Sequence, residues 1–309
     1  MFEKEFSEKE FIEKCREYSI ITILRNESSE KRSEIEGFLN DLGDVCLCKN
    51  VVFNYNPDEN KVSYNEEKNV LSKGMKALLE GSDDYPLLVV ISTMNLRLLG
   101  TLLMHVKHSR HKEVFCVYTE PKRYARNTKP KKDFDLYRRM KSFAPIPGFV
   151  SANIDNKPEK WIPFLGFEGD RALQVREQYD FDDYVPVLTL PCYKPIWQNF
   201  IIRENLKLLE DARDNSVHYV EADSVLAAYE ELERLTDIYK NNQLRVTSFG
   251  TKINALGVLL FSLCHEGVID LIYDNPVEDG STFSEDAGRT HVFDISEFIE
   301  KSREAEKIC

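Results

Sequence analysis

The chain has 309 residues, of which 42 % are hydrophobic and 30 % are charged, and 53 acidic residues against 41 basic ones give it a formal charge of −12. This composition is typical of a globular protein and argues against extensive disorder. No apolar run approaches the roughly 20 residues of a membrane span, and the first ten residues are polar and acidic, unlike a signal or transit peptide. The seven cysteines are scattered and form no CxxC pair. We therefore expect a cytoplasmic protein without membrane association.

The first half of the chain alternates apolar runs with helical patterns. In chain order we predict extended segments at 19–24 and 44–55, a helix at 65–81, a strand at 86–91, a helix at 96–106 with its N-cap in 92–95, and a strand at 113–119. Residues 120–160 are rich in Lys, Arg, Pro and Asn, which predicts a loop or linker with a short helix at 134–142.

The second half repeats the alternation of strand and helix. We predict strands at 161–165, 184–190, 217–220, 244–248, 269–273 and 291–295, with helices starting near 170, 196, 224 and 253 and a charged helix at the end. This order is typical of an α/β protein. The sequence therefore predicts two Rossmann-like halves, 1–150 and 151–309, with mainly parallel sheets flanked by helices.

An internal repeat supports the two-half organisation. Residues 89–106 and 246–263 both carry a strand, a polar turn and a helix with an embedded Leu-Gly pair, and each is followed by a strand that ends in Tyr-x-x-Pro. Glycine inside a helix costs about 0.5–1 kcal/mol relative to alanine. Its presence in both copies, as Gly100 and Gly257, predicts close packing of each helix against its sheet.

The basic charge is concentrated in residues 107–141. This segment holds twelve Lys and Arg against four acids, so its local charge is +8 on an acidic chain. Such a segment attracts anions, among them nucleotide phosphate, nucleic acid or an acidic protein surface. Nucleic acid is possible but not favoured, because the whole chain is negatively charged. A protein partner is the other candidate, and a solvated loop is the simpler interpretation.

Polar and glycine-containing turns follow several of the predicted strands. Ligands of open parallel sheets bind beyond the carboxyl ends of the strands, so these turns are the candidate binding residues. In the first half they are Ser92, Thr93, Asn95 and Tyr118; in the second they are Gly166, Gly169, Asp170, Arg171, Tyr193, Lys194, Gly250, Thr251, Lys252 and Asp274.

These turns have the chemistry of a site for a nucleotide-like or otherwise phosphorylated small molecule. Arg171, Lys194 and Lys252 would balance negative charge, the hydroxyls would donate hydrogen bonds, and Tyr118 or Tyr193 could stack on a base. The spacing is neither GxGxxG nor a P-loop, so the cofactor stays unidentified. The alternative is a set of ordinary caps and turns, in which Arg171 pairs with a neighbouring carboxylate.

Catalytic signals are weaker than binding signals. Glu168 is the one candidate general base, and a single carboxylate in a turn is weak evidence for catalysis. His105, His108 and His111 have spacing that could suit a metal, but Lys107 and Arg110 crowd them with positive charge, so no metal site is predicted. Whether the protein is an enzyme stays open.

Residues 86–121, with the Ser92-Thr93 turn, resemble the Rossmann-like sensor domains associated with CRISPR systems. The turns GFEG at 166–169, GTK at 250–252 and YTEPK at 118–122 are also similar to those of an uncharacterised bacterial family found in phage-defence and mobile loci. The resemblance implies nucleotide binding at strand-end turns, in a sensor or accessory subunit of a defence system. A nucleotide- or phosphoester-processing enzyme and a protein-interaction subunit of a larger complex are the alternatives.

Overall fold

A computed structural model describes residues 4–27, 35–80, 84–126, 137–140, 142–151, 157–181, 183–212, 216–278 and 282–306, with backbone alone for 123–126, 137–140, 277–278 and 282–287. The chain forms two compact units, one of Met1–Tyr124 with Ser284–Cys309 and the other of Ala125–Phe283. These units differ from the predicted halves 1–150 and 151–309 in two respects: the second unit begins at Ala125, and the last strand and helix belong with the first unit. The reason for the second difference is pairing over a long sequence separation, in which Lys4 opposes Asp294 and Ser7 opposes His291.

Unit 1 is built on an eight-stranded sheet. Its strands are β1 (Lys4–Ser7), β2 (Ile20–Asn26), β3 (Leu47–Asn56), β4 (Lys61–Tyr64), β5 (Glu67–Val70), β6 (Leu87–Val90), β7 (Val114–Arg126) and, from the end of the chain, β16 (Thr282–Asp294). Their order is β1-β16-β7-β6-β2-β3-β4-β5. The four central strands β7, β6, β2 and β3 are parallel, as predicted for a Rossmann-like half.

The described helices that flank this sheet are α1 (Glu8–Cys15), α2 (Ile35–Gly43), α3 (Leu71–Leu79), α4 (Leu96–Lys107) and α10 (Ser296–Glu306). One core cluster joins α1 and α2 to the sheet through fully buried side chains such as Phe11, Leu42 and Phe115. The predicted helix at 65–81 is shorter in the structure, because its first residues form β5 in a hairpin with β4. Asn95 caps α4 through its side chain, as predicted, since it accepts from the Leu98 N–H at 2.9 Å.

Unit 2 is built on a six-stranded sheet. Its strands are β9 (Ala144–Pro145), β10 (Glu159–Leu165), β11 (Val187–Thr189), β12 (His218–Val220), β13 (Gln243–Ser248) and β14 (Ile269–Tyr273), in the order β12-β11-β10-β13-β14-β9. All but β9 are parallel. A separate two-stranded sheet pairs β8 (Tyr137–Met140) with β15 (Pro276–Glu278).

The described helices of unit 2 are α5 (Gly169–Tyr179), α6 (Gln198–Glu204), α7 (Leu206–Glu210), α8 (Val225–Ile238) and α9 (Lys252–Cys264). Ser224 caps α8, as predicted, by accepting from the Ala227 N–H at 2.9 Å. The helix α9 is buried along almost its whole length. Both units therefore confirm the α/β class with mostly parallel sheets flanked by helices.

Two predictions in the basic segment are wrong. The loop expected from residue 120 is partly strand, because β7 continues to Arg126, and the short helix expected at 134–142 is replaced by β8. The lysine-rich composition is typical of a loop, but the backbone of β8 pairs antiparallel with β15 from a distant part of the chain. Within the described residues, no helix combines the length and apolarity that crossing a membrane requires.

Candidate functional site

Each unit has a topological switch point, where the order of the parallel strands reverses. In unit 2 the chain passes from β10 to β11 and β12 on one side and then to β13 and β14 on the other, so the switch lies between β10 and β13. In unit 1 it lies between β2 and β6 by the same logic. Ligands of such sheets bind at this point beyond the carboxyl ends of the strands, and most of the predicted turns lie there.

In unit 2 the turns after β10 and β13 touch backbone to backbone. A Cβ atom on Gly166 would lie 2.6 Å from the Phe249 carbonyl oxygen and 3.0 Å from the Gly250 Cα. The turns after β10 and β13 therefore lie side by side within unit 2. The glycine at 166 is explained by this close approach of two chain segments at the switch point.

The second glycine of the first turn packs against a helix end. A Cβ on Gly169 would lie 1.9 Å from the Glu204 carbonyl oxygen at the end of α6. The neighbouring Asn205 donates from Nδ2 to the Gly166 carbonyl at 2.7 Å and is almost fully buried. Gly169 thus fits the start of α5 against α6, which is a structural role.

Arg171 lies in a buried cluster with two carboxylates. Its Nε and Nη2 donate to the two oxygens of Asp274 at 2.7 and 2.8 Å, and its Nη1 is bonded to Glu168. Asp274 is fully buried, and Arg171 is 9 % exposed. The protein's own carboxylates therefore balance the charge that we expected a ligand phosphate to balance. Glu168, the candidate base, is engaged by this guanidinium.

The remaining predicted residues of unit 2 follow the same strands. Thr251 caps α9, because it accepts from the Asn254 N–H at 3.1 Å while its hydroxyl donates to the Ala222 carbonyl at 2.7 Å. The Lys194 Nζ lies 4.8 Å from the centre of the Trp197 ring. Exposed Asp170 and half-buried Lys252 lie in the first turns of α5 and α9, and half-buried Tyr193 lies in the turn after β11, all at the same carboxyl edge of the sheet.

Buried oxygen atoms without a hydrogen-bond partner among the described residues occur at this edge, among them Thr189 Oγ1, Ser248 Oγ and Asn254 Oδ1. A Cβ on Gly250 would lie 2.6 Å from Thr189 Oγ1 and 3.6 Å from Asn254 Oδ1. Buried polar atoms are nearly always paired, so these atoms distinguish the edge from ordinary core. The sequence predicted Gly250 as a binding residue, but no sequence pattern pointed to Thr189 or Asn254.

In unit 1 an asparagine organises the switch point. Asn26, at the end of β2, donates from Nδ2 to the Thr93 carbonyl at 3.0 Å and accepts from the Tyr55 N–H at 2.9 Å. Buried Ser92 accepts from the Thr119 N–H at 3.0 Å. The ends of β2, β3, β6 and β7 are thereby tied together, and the predicted residues Ser92, Thr93 and Asn95 all lie at this edge.

Arg97 was missed by sequence reasoning. It stands in the first turn of α4, where no acidic residue is present. Its Nε is buried, and its guanidinium forms no hydrogen bond or ion pair with any residue that the structure describes. Burial raises the pKa of Tyr55 on β3, and the positive charge of Arg97 opposes this rise. The two side chains are therefore close enough to interact, and Arg97 on α4 extends across the switch point toward β3.

Tyr118 corrects one prediction. It lies within β7 rather than in a turn and is 5 % exposed. Because the side chain is buried within the strand, its ring offers no exposed face for stacking on a base. Within unit 1 the remaining candidates for ligand contact are the residues around Thr93 and Arg97.

The described part of the basic segment is only partly solvated. The Lys107 side chain is fully buried, with its Nζ 3.6 Å from Glu306 on α10. His111 is buried and bonded to the Ser109 hydroxyl, and His105 contacts the Ser72 hydroxyl.

No group of three or more potential ligands in the described residues is placed to hold a metal ion. Most of the predicted partner-binding cations after Lys122 lie outside the residues whose side chains are described.

No protein-family model matches this sequence, and no curated protein does. Among solved structures, the chain is similar to a periplasmic sugar-binding protein from Pseudomonas fluorescens, with 14 % sequence identity and a TM-score of 0.23. The match covers 81 % of this chain and 65 % of that one, slightly under two thirds of its length. Function must therefore be argued from the residues at the two switch points.

Proposed function

We propose that this protein binds a phosphorylated small molecule, with a nucleotide as the leading candidate, at the switch point of unit 1. The observation that carries the proposal is Arg97, a cation with a buried Nε and no paired acid among the described residues, placed where ligands of parallel sheets bind.

The electrostatics at the start of α4 favour an anion. The N-terminus of a helix carries partial positive charge, so acidic side chains stabilise the first turn and basic ones destabilise it. The first turn of α4 has Arg97 and no acid. A phosphate bound there would satisfy both the guanidinium and the first-turn amides, because charge-assisted hydrogen bonds from arginine to phosphate are strong.

The surrounding residues support a preorganised site. Asn26 fixes the loop after β6 through the Thr93 carbonyl, and Asn95 fixes the start of the helix. Thr93 is half-buried beside them. Arg171 of unit 2 is a weaker candidate for the phosphate contact, since Asp274 and Glu168 already balance its charge.

A nucleotide-binding module is also what the resemblance to sensor domains implies. The role of a sensor or accessory subunit in a bacterial defence system, and a cytoplasmic location, are part of this proposal. Mass spectrometry of small molecules that co-purify with the full chain would identify the ligand, and calorimetry with AMP, ATP and cyclic dinucleotides would measure its affinity.

Replacing Arg97 with alanine is expected to weaken binding of the identified nucleotide about tenfold, because one charge-assisted contact worth roughly 1.5 kcal/mol is lost. Isothermal titration calorimetry measures the change. The matched control is Arg16→Ala at the end of α1 in the same unit, which removes an exposed arginine that pairs with its neighbour Glu13 and should leave the affinity unchanged.

Equal affinities of wild type and Arg97→Ala would contradict the site, and absence of binding to every nucleotide and of any co-purified phosphorylated molecule would contradict the function. If the wild type converts the bound nucleotide to product, and Glu168→Gln binds it without turnover, the protein is instead a nucleotide-processing enzyme.

A further inference from the structure

A histidine in unit 1 is enclosed between two carboxylates. His291 on β16 is fully buried, and its Nδ1 and Nε2 lie 2.6 Å from carboxylate oxygens of Glu5 on β1 and Glu120 on β7. The ring stacks on Phe293 with an angle of 4° between the planes. Three adjacent strands thus meet at one imidazole.

With both carboxylates ionised, the two short contacts are satisfied together only when the ring is protonated, although Arg289 Nε also lies 3.3 Å from Nε2 as a donor. A neutral imidazole has one N–H and one lone pair, whereas the cation donates from both nitrogens. If the ring is neutral, one carboxylate faces a lone pair at hydrogen-bond distance, and the contact becomes repulsive. Two ionised carboxylates at 2.6 Å therefore favour the imidazolium over the single, longer contact from Arg289.

The charges around the ring agree with this. In the described part of the chain, the groups that act most strongly on His291 are Glu120 from β7, Glu5 from β1 and Arg289 from β16 itself. Glu297, on the neighbouring α10, is paired with Lys4 instead. Burial and, more weakly, the charge of Arg289 lower the pKa of His291, but the hydrogen bonds that the ring donates to Glu120 and Glu5 outweigh them, so the pKa lies above its ordinary value.

The strand that this contact secures is short. β1 lies at the edge of the sheet and is paired with β16 through four residues, Lys4 to Ser7. Phe6 of β1 packs on Phe11 and Phe115, with ring centres 6.1 and 6.5 Å apart. Release of β1 would expose this aromatic contact.

We infer that His291 is a pH-sensitive clamp that holds β1 against the sheet while its ring is protonated and loosens β1 when the proton is lost. The clamp is independent of the proposed ligand site. Because the folded-state pKa is raised, the stabilisation is complete below the ordinary value of about 6.5 and is lost as the pH rises through the raised value.

Hydrogen–deuterium exchange of the full chain between pH 6 and pH 9 tests the clamp. The measured exchange is first corrected for intrinsic exchange rates. The equilibrium constant for opening of β1 is then expected to rise about tenfold for each unit by which the pKa of His291 in the folded protein exceeds its ordinary value. An NMR titration of the His291 ring supplies that pKa. The variant His291→Asn should lose the pH dependence, and His108→Asn, which removes an exposed histidine of the same unit, should keep it.

If His291→Asn does not fold, Glu120→Gln serves in its place, since the amide keeps a hydrogen-bond acceptor but lacks the charge and should lower the pKa of the ring. The inference is overturned if protection of β1 in the wild type is the same at pH 6 and pH 9, if His291→Asn keeps the wild-type dependence, or if the His291 ring titrates at or below the ordinary value.

Discussion

Replacement of Asp274 by alanine is expected to lower the free energy of unfolding of unit 2 by about 3 kcal/mol. Asp274 is fully buried and holds the Arg171 guanidinium through two hydrogen bonds. Removing one partner of a buried pair leaves an uncompensated charge, which costs about 3–5 kcal/mol, and the remaining contact with Glu168 keeps the loss at the lower end. Urea unfolding followed by tryptophan fluorescence measures it, because Trp161 and Trp197 both belong to unit 2.

The matched control is Asp211→Ala. Asp211 also pairs with an arginine of α5, Arg176, but its side chain is 45 % exposed. Exposed pairs contribute roughly 0–1 kcal/mol, so this variant should be nearly as stable as the wild type. If Asp274→Ala costs no more than Asp211→Ala, then the Asp274–Arg171 pair contributes little to the stability of unit 2, and Arg171 becomes a stronger candidate for a ligand contact.

Local sequence signals predicted the parallel cores of both units. The continuous apolar run at 86–91 corresponds to β6, whose four residues are all buried, and the caps Asn95 and Ser224 are where their side-chain chemistry placed them. Such signals depend on neighbours in the chain. The pairing of β1 with β16 joins residues nearly 290 positions apart, and no local pattern could reveal that the end of the chain belongs to unit 1.

The same limit applies to the candidate site. The sequence showed that Arg171 follows a strand, but the carboxylate that holds it, Asp274, is 103 residues away, so the choice between a ligand contact and an internal ion pair needed coordinates. Arg97 was missed for the opposite reason. It is surrounded by leucines in a helical pattern, and its lack of an acidic partner among the described residues is visible only in the fold.

Replacement of Gly257 by alanine is expected to cost unit 2 about 2–3 kcal/mol of unfolding free energy, although alanine is the better helix former. A Cβ on Gly257 would lie 2.3 Å from the Val225 carbonyl oxygen and 2.8 Å from the Ala228 Cβ. These atoms belong to α8, so the glycine inside α9 allows α9 to pack closely against α8. This corrects the expectation from the internal repeat that it fits the helix against the sheet.

Gly37→Ala in α2 is the matched control, because it makes the same substitution inside a helix where nothing lies within 4 Å of the new Cβ. It should stabilise unit 1 by about 0.5–1 kcal/mol, the ordinary gain of alanine over glycine in a helix. Circular dichroism during denaturation follows both variants. Opposite signs for the two substitutions would show that contact with α8 outweighs helix propensity at Gly257, whereas a gain in both would mean that α8 and α9 can separate far enough to admit the Cβ at little cost.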